Sequence, residues 1–347
     1  MIDILAANAE KTEQRRRPTA ESVQAAREAG AFALGTPVEY GGRGAGATEV
    51  ARMLTTMGRA CPSTAWIAAT SLTGKVLAAR SGDFGDRARA TMFADPDALF
   101  CGTGRPGGHG ERGAEHVRIS GRWSSVSGCE DAEWAALATM VDGTFSMAVI
   151  PMADLTVDRD WDVAGMRGTG SHTVVAEGVL VDADFVTPLK APPTAASRRL
   201  FGVAHLAPVV GATFAALDLT VAMFASSRKP FMTSYASMGE SPGARHWLAE
   251  AATLSERAER TMLTVAAEVD ESAALNDRDA GRMALNLADA ARDCRQAVDL
   301  MLDLHGTGAF ATRNPLQRLW RDVAVGSRHF HLNRYLAVEG YGALLAG

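Results

Sequence analysis

An α+β fold, ordered as helices, then a β module, then a helical bundle, is what this 347-residue sequence predicts. Three observations carry the expectation. Residues 4–99 are rich in alanine and helical in habit. Asp142-Gly143 separates two apolar runs within 135–150, the strongest local signal for a β-hairpin. Past Pro192-Pro193, apolar residues recur every three or four positions, the period of a helix with one buried face. The length gives a prior of two or three domains. They are placed at 1–95 (N-terminal helical domain), 96–190 (middle β-barrel domain) and 191–347 (C-terminal helical bundle).

In the first segment, short helices surround Pro37-Val38-Glu39-Tyr40-Gly41-Gly42-Arg43-Gly44, whose clustered glycines must turn. After Asp95-Pro96-Asp97, Val117 and Ile119 alternate with polar residues, and Val174-Val175 and Val179-Leu180-Val181 add strand-like material. This module is expected to close as a small barrel or sandwich. In the last segment Val203, Leu206, Val210, Phe214, Leu217, Val221 and Phe224 step along one face. Leu248 to Val269 and Leu287 to Leu302 repeat the step, and a fourth helix follows Pro315. Faces this apolar predict burial within the chain and against a second copy, as a homodimer or homotetramer.

Net charge is −5 with acids and bases interspersed, so nucleic acid is not expected as a partner. Arg15-Arg16-Arg17 reads as a solvated helix end. Cys61, Cys101, Cys129 and Cys294 lack the spacing of a zinc site or a disulfide framework, which points to no metal and a reducing compartment. The first thirty residues are charged, and no run of roughly 18 apolar residues is apparent, so a cytoplasmic protein without a membrane partner is expected. P-loop, zinc-protease, nucleophile-elbow and dinucleotide fingerprints are missing, and Gly102-Thr103-Gly104 opens no helix.

Seven segments in the right order resemble the acyl-CoA dehydrogenase fold superfamily, from about residue 5 to 347. They are Pro37-x-x-Tyr40-Gly41-Gly42, Ala60-Cys61-x-Ser63-Thr64-Ala65-Trp66, Gly121 to Gly128, Met166-Arg167-Gly168-Thr169-Gly170-Ser171, the helix start Ala207-Pro208-x-x-Gly211-Ala212, Asn314 to Trp320, and Arg321-Asp322. Within it the chain looks most like the oxygenase components of two-component flavin-dependent monooxygenases acting on phenols and aromatic polyketides. That resemblance implies an N-terminal helical domain, a middle β-barrel and a C-terminal four-helix bundle, with reduced flavin (FMN or FAD) between barrel and bundle. It also implies a separate flavin reductase, O₂ added to flavin as a C4a-hydroperoxide, and a small-molecule substrate that is hydroxylated or oxidised at an amine.

The residues themselves are compatible. Trp123 offers a flat face, and Ser124, Ser125 and Ser127 offer hydroxyls for a ring cofactor. The resemblance places Ser127 near flavin N5 and makes Thr169 and Ser171 cofactor-side residues. His172 stands where relatives often have Asn or Asp, and Asp131 stands where they often have a substrate-side histidine. His329, eight residues after Arg321, takes the position of the family's catalytic histidine, suited to receiving a phenol proton. On a continuous helix His331 would point about 200° away and be spare. Trp66, Trp161 and Phe201 are candidates to line the substrate pocket.

Two other readings remain open at this point. An acyl-CoA dehydrogenase would need a glutamate base, but Phe330 holds that position; Glu339-Gly340 is too late, and Glu250 or Glu256 would have to serve from another helix. A non-catalytic relative acting as a subunit or binding protein is the third.

Overall fold

The computed structural model describes residues 1–80, 84–271 and 274–347. Five helices come first: α1 (Ile2–Arg15), α2 (Ala20–Glu28), α3 (Ala47–Ala60), α4 (Pro62–Arg80) and α5 (Asp86–Met92). Thr19 starts α2 by accepting the Ser22 amide on its hydroxyl. The glycine loop turns as expected, with Gly41 left-handed at φ 79° and Gly42 so close to Thr36 that a Cβ would lie 2.1 Å from its carbonyl oxygen. The loop is held from inside by Lys75, a fully buried ammonium that donates to Phe32 O, Thr36 Oγ1 and Pro96 O at 2.7–2.9 Å. Burial lowers its pKa to about 7.

Seven strands follow: β1 (Phe100–Arg112), β2 (His116–Val126), β3 (Trp134–Val141), β4 (Thr144–Pro151), β5 (Thr156–Asp158), β6 (His172–Asp182) and β7 (Val186–Pro188). They form one mixed sheet in the order β5-β6-β2-β1-β3-β4-β7, with β1 and β3 parallel. The Asp142-Gly143 hairpin joins β3 to β4 as expected, both residues at positive φ. The expected closure is incomplete: β5 and β7 are the two edges and do not pair with each other.

The sheet's interior turns on Trp123. Its side chain is 1% exposed and lies across β1, where Gly107 and Gly108 leave room, so that its indole N–H reaches Ala138 O on β3 at 2.7 Å. A Cβ at Gly108 would meet the Trp123 ring at 2.4 Å. Trp123 is therefore a core residue of the sheet, and the expectation that its face borders the cofactor is corrected by that burial.

The chain ends in α6 (Ala195–Phe224), α7 (Pro242–Glu271), α8 (Asp277–His305), α9 (Pro315–Gly326) and α10 (Arg334–Ala346). α6 starts thirteen residues before Pro208, capped by Thr194, so Ala207-Pro208 lies inside the helix and does not begin it. α6 is also long and apolar enough to cross a bilayer, against the sequence expectation, but it is mostly buried in the core. It packs on α3 at backbone distance: a Cβ on Gly58 would lie 2.7 Å from Pro208 Cα, and one on Gly211 2.3 Å from Thr55 O. One continuous core therefore joins α3, α4, α6, α7 and α8. The basic run is not a free helix end. Arg17 pairs with Asp131 at 2.6 Å and Arg16 with Asp162 at 2.9 Å, tying the end of α1 to the sheet.

The Trp123 packing gives the first prediction. Gly108→Ala should cost about 1–3 kcal/mol in urea unfolding, the usual range for overpacking a filled core. Gly104→Ala, where a Cβ meets nothing within 4 Å, should fall within about 0.5 kcal/mol of the parent. Equal midpoints for the two variants would refute this account of β1.

Candidate active site

α9 ends at Gly326, where Arg295 of α8 donates to both the carbonyl and the hydroxyl of its C-cap Ser327, and His329 leaves the helical conformation at ψ 147°. Residues 329–333 then form a short 3₁₀ turn leading to Asn333, the cap of α10. His329 and His331 thus do not share a helix, and the 200° separation expected between them does not apply. Their ring centroids are 5.4 Å apart. A third histidine, His205 of α6, stacks on His329 at 4.2 Å and 12° and lies 5.7 Å from His331. Trp66 stands edge-on to both His205 and His329, and Phe201 lies 5.9 Å from His331.

These imidazoles are neutral. Burial lowers the His205 pKa to about 4 and that of His331 to about 2, the latter helped by His205, Arg199 and Arg198. Burial, with His205 and His331 adding to it, also holds His329 well below the usual histidine range. His205 Nδ1 lies 2.8 Å from Phe201 O, and a carbonyl only accepts, so that nitrogen carries the hydrogen and Nε2 is the bare one. His329 Nδ1 is buried without a protein partner among the described residues.

Across Trp66 and Met166 lies a chain of hydroxyls. Thr169 donates to Met166 O at 2.8 Å, Ser171 lies 2.7 Å from Thr169, and Ser127 lies 2.7 Å from Ser171. Each hydroxyl has one hydrogen, and that of Thr169 is committed to a carbonyl. Ser171 therefore donates to Thr169 and Ser127 donates to Ser171, which leaves Ser127 Oγ able only to accept. Met166, left-handed at φ 53°, anchors this chain: its amide donates to buried Asp322 at 2.5 Å and its carbonyl also takes the Trp161 indole N–H at 3.1 Å. Burial raises the Asp322 pKa to about 6, opposed by the Met166 bond.

The structure brings Ser127, Thr169 and Ser171 together on one side of Met166, and His329, Trp66 and Phe201 on the other. Trp161 joins the first group through Met166 O. Ser124 and Ser125 are exposed in a bulge where two β2 residues face one of β6, with Ser125 at φ 60°, a common device beside binding sites. His172 is buried and accepts the Trp161 amide on Nδ1 at 3.0 Å, while Asp131 is taken by Arg17. Glu250, Glu256 and Glu339 are exposed. Sequence reasoning passed over His205 and Asp322's grip on Met166. The signal for His205 was a lone titratable residue in an otherwise apolar stretch of α6.

Two family models match the chain: acyl-CoA dehydrogenase, N-terminal domain, over residues 3–83, and acyl-CoA dehydrogenase, C-terminal domain, over 203–334. The chain is 30% identical to the flavin-dependent monooxygenase oxygenase subunit HsaA of Rhodococcus jostii, covering 95% of this chain and 92% of that one. It is 27% identical to the FADH(2)-dependent resorcinol hydroxylase, oxygenase component, of a Rhizobium species, covering 96% and 89%. Among solved structures, XiaF from a Streptomyces species, in complex with FADH2 and glycerol, superposes with TM-score 0.94 at 27% identity, covering 100% of this chain and 93% of that one.

The histidine cluster predicts acid sensitivity. In the unfolded chain each imidazole takes a proton near about pH 6.5, whereas folded His205 resists to about 4 and His331 to about 2. The unfolded state then binds more protons, and stability falls as pH drops from about 6.5 towards 4. Asp322, raised to about 6, and Asp97 and Asp299, also raised by burial, work oppositely, while His305, lowered to about 4, and His172 add to the decline, so five lowered imidazoles stand against three raised carboxyls. The thermal midpoint should be lower at pH 5 than at pH 7, and His331→Asn should flatten the decline. An unchanged midpoint would contradict the burial of three neutral histidines.

Proposed function

The chain belongs to the oxygenase components of flavin-dependent monooxygenases, and from that membership we propose that it takes reduced flavin from a separate reductase and inserts oxygen into a phenolic or other aromatic substrate. It is an oxidoreductase on the acyl-CoA dehydrogenase fold. The observation that carries the cofactor reading is the direction of the hydroxyl chain. An Oγ that can only accept fits a ring bearing N–H, as reduced flavin does, better than one presenting a bare nitrogen. Ser127, backed by Ser171 and Thr169, would hold that edge of the ring, and Ser124 and Ser125 in the exposed bulge would hold its polar margin. Bound reduced flavin supplies the two electrons that divide O₂ between the inserted oxygen and water.

His329 is the substrate-side group. Its buried, unpartnered Nδ1 is available to a substrate hydroxyl, and its low basicity suits it to orient that hydroxyl and take the proton only as the ring is attacked. Trp66 and Phe201 keep water from this side. His205 stacks on His329 and His331 lies beside both, so His331 belongs to the same group and is not spare. The dehydrogenase base position is filled by exposed Phe330, and nothing in the site favours that reading.

The direct test mixes the purified chain with chemically reduced FMN or FAD, O₂ and a panel of phenols, with no nicotinamide present. Hydroxylated product should form, while NAD(P)H with oxidised flavin should give no turnover. Oxidation of NAD(P)H by this chain alone, or reduction of its flavin by an acyl thioester, would overturn the reading. Ser127→Ala should weaken reduced flavin by roughly fivefold, the worth of one hydrogen bond, and leave oxidised flavin nearly unchanged. Equal weakening of both would reject the acceptor role.

His329→Ala should bind reduced flavin normally yet form product about 10²–10⁴ times more slowly, with the consumed O₂ appearing as H₂O₂. His331→Ala should show the same uncoupling to a smaller degree. Full coupling in His329→Ala would remove that residue from the chemistry.

A further inference from the structure

The first turns of α6 hold two arginines that no carboxylate among the described residues answers. Arg198 donates to Pro193 O, five residues earlier, at 2.5 Å. Arg199 has no hydrogen-bond partner among the described residues, and its Nε is buried. Arg167 and Arg318 also have a buried Nε without a partner among the described residues, whereas Arg17, Arg257 and Arg282 are matched by Asp131, Asp293 and Glu268. An uncompensated cation held away from water is costly unless an anion meets it.

The position of the pair is specific. Arg198, Phe201 and His205 recur at spacings of three and four and so share one stripe of α6. Phe201 and His205 on that stripe face the His331 ring, at 5.9 and 5.7 Å. The charges of both arginines help to lower the His331 pKa, and among the described residues no acidic group offsets the lowering at His205, His329, His331 or Arg199. Arg198 therefore lies on the stripe of α6 that faces the His331 ring, and Arg199 is the next residue along the same turn.

From this we propose that Arg198 and Arg199 receive a carboxylate carried by the aromatic substrate, so that the enzyme acts on phenolic acids in preference to neutral phenols. The proposal rests on the monooxygenase reading for the aromatic part and on the unanswered arginines for the acid. A flavin phosphate is the other anion at hand. The substrate is favoured because the arginines act on His331, next to the residue assigned to the substrate hydroxyl.

The test is anaerobic calorimetry on the chain loaded with reduced FMN, using hydroxylated benzoate, phenylacetate, phenylpropanoate and naphthoate, each against its methyl ester. At least one acid should bind on the order of tenfold to a hundredfold more tightly than its ester, the worth of one charge-assisted pair. Arg199→Gln and Arg198→Gln should each remove most of that preference while ester affinity stays within about twofold, and Arg199→Lys should retain part of it. The proposal is overturned if no acid in the panel outbinds its ester, or if the glutamine variants weaken acid and ester alike. It is also overturned if they abolish discrimination between FMN and riboflavin, which would assign the arginines to the cofactor phosphate. An acid preference that maps to the arginines in a chain that oxygenates none of these phenols would leave this inference standing and reject the monooxygenase reading instead.

Discussion

One residue sets the polarity of the whole site. Met166 is left-handed, its amide is committed to the buried carboxylate of Asp322, and its carbonyl faces Thr169 and Trp161. With the carbonyl fixed as the terminal acceptor, three successive hydroxyl hydrogens have only one consistent arrangement, so the character of Ser127 Oγ is decided three residues' contacts away. The same residue sends its side chain the other way: a Cβ on Gly326 would meet Met166 Cε at 2.7 Å and Trp66 at 3.2 Å. Trp66 in turn edges His205 and His329. The hydroxyls proposed for the cofactor and the imidazoles proposed for the substrate are thus both packed on a single segment. That segment is itself pressed onto α9, where a Cβ on Gly165 would lie 2.0 Å from Arg321 O.

The electrostatics of the two sides differ in kind. Near Met166 a buried acid is retained by one short hydrogen bond, at the expense of a raised pKa. Around α6, three imidazoles are kept uncharged and two guanidinium groups cannot shed their charge. On the proposed reading, a substrate bound there would meet neutral acceptors at one end and fixed positive charge at the other, which would orient it as well as hold it.

The fold was legible where the signals were local. Asp142-Gly143, Asn314-Pro315 and the apolar steps of the bundle each act through their own backbone, and the hairpin and the helix after Asn314 began where expected, whereas α6 begins before Ala207-Pro208 and α9 ends before His329. What could not be read depended on distant partners. The end of α9 is joined to Arg295 of α8, a partner 32 residues upstream, and a reading that extends the helix makes His329 and His331 diverge along it. Trp123 has the composition of a cofactor wall, and only the glycines of a neighbouring strand turn it into core. The hydroxyls at 127, 169 and 171 were found from the family pattern, but their direction follows from one carbonyl whose orientation no local rule supplies.

The backbone contact of α3 with α6 has a consequence for how the chain is made. Val50, Leu54 and Met57 of α3 are fully buried in a core shared with Val203, Ala207 and Val210 of α6. Gly58 and Gly211 allow no filler between the two helices other than each other. During synthesis the partner emerges about 150 residues after α3, which at roughly 5–20 residues per second leaves the apolar face of α3 unmatched for about 10–30 s. Lys75 waits as well, for an acceptor at Pro96. The apolar face of the nascent amino-terminal third therefore stays without its α6 partner until the central sheet has been made and the first bundle helix arrives.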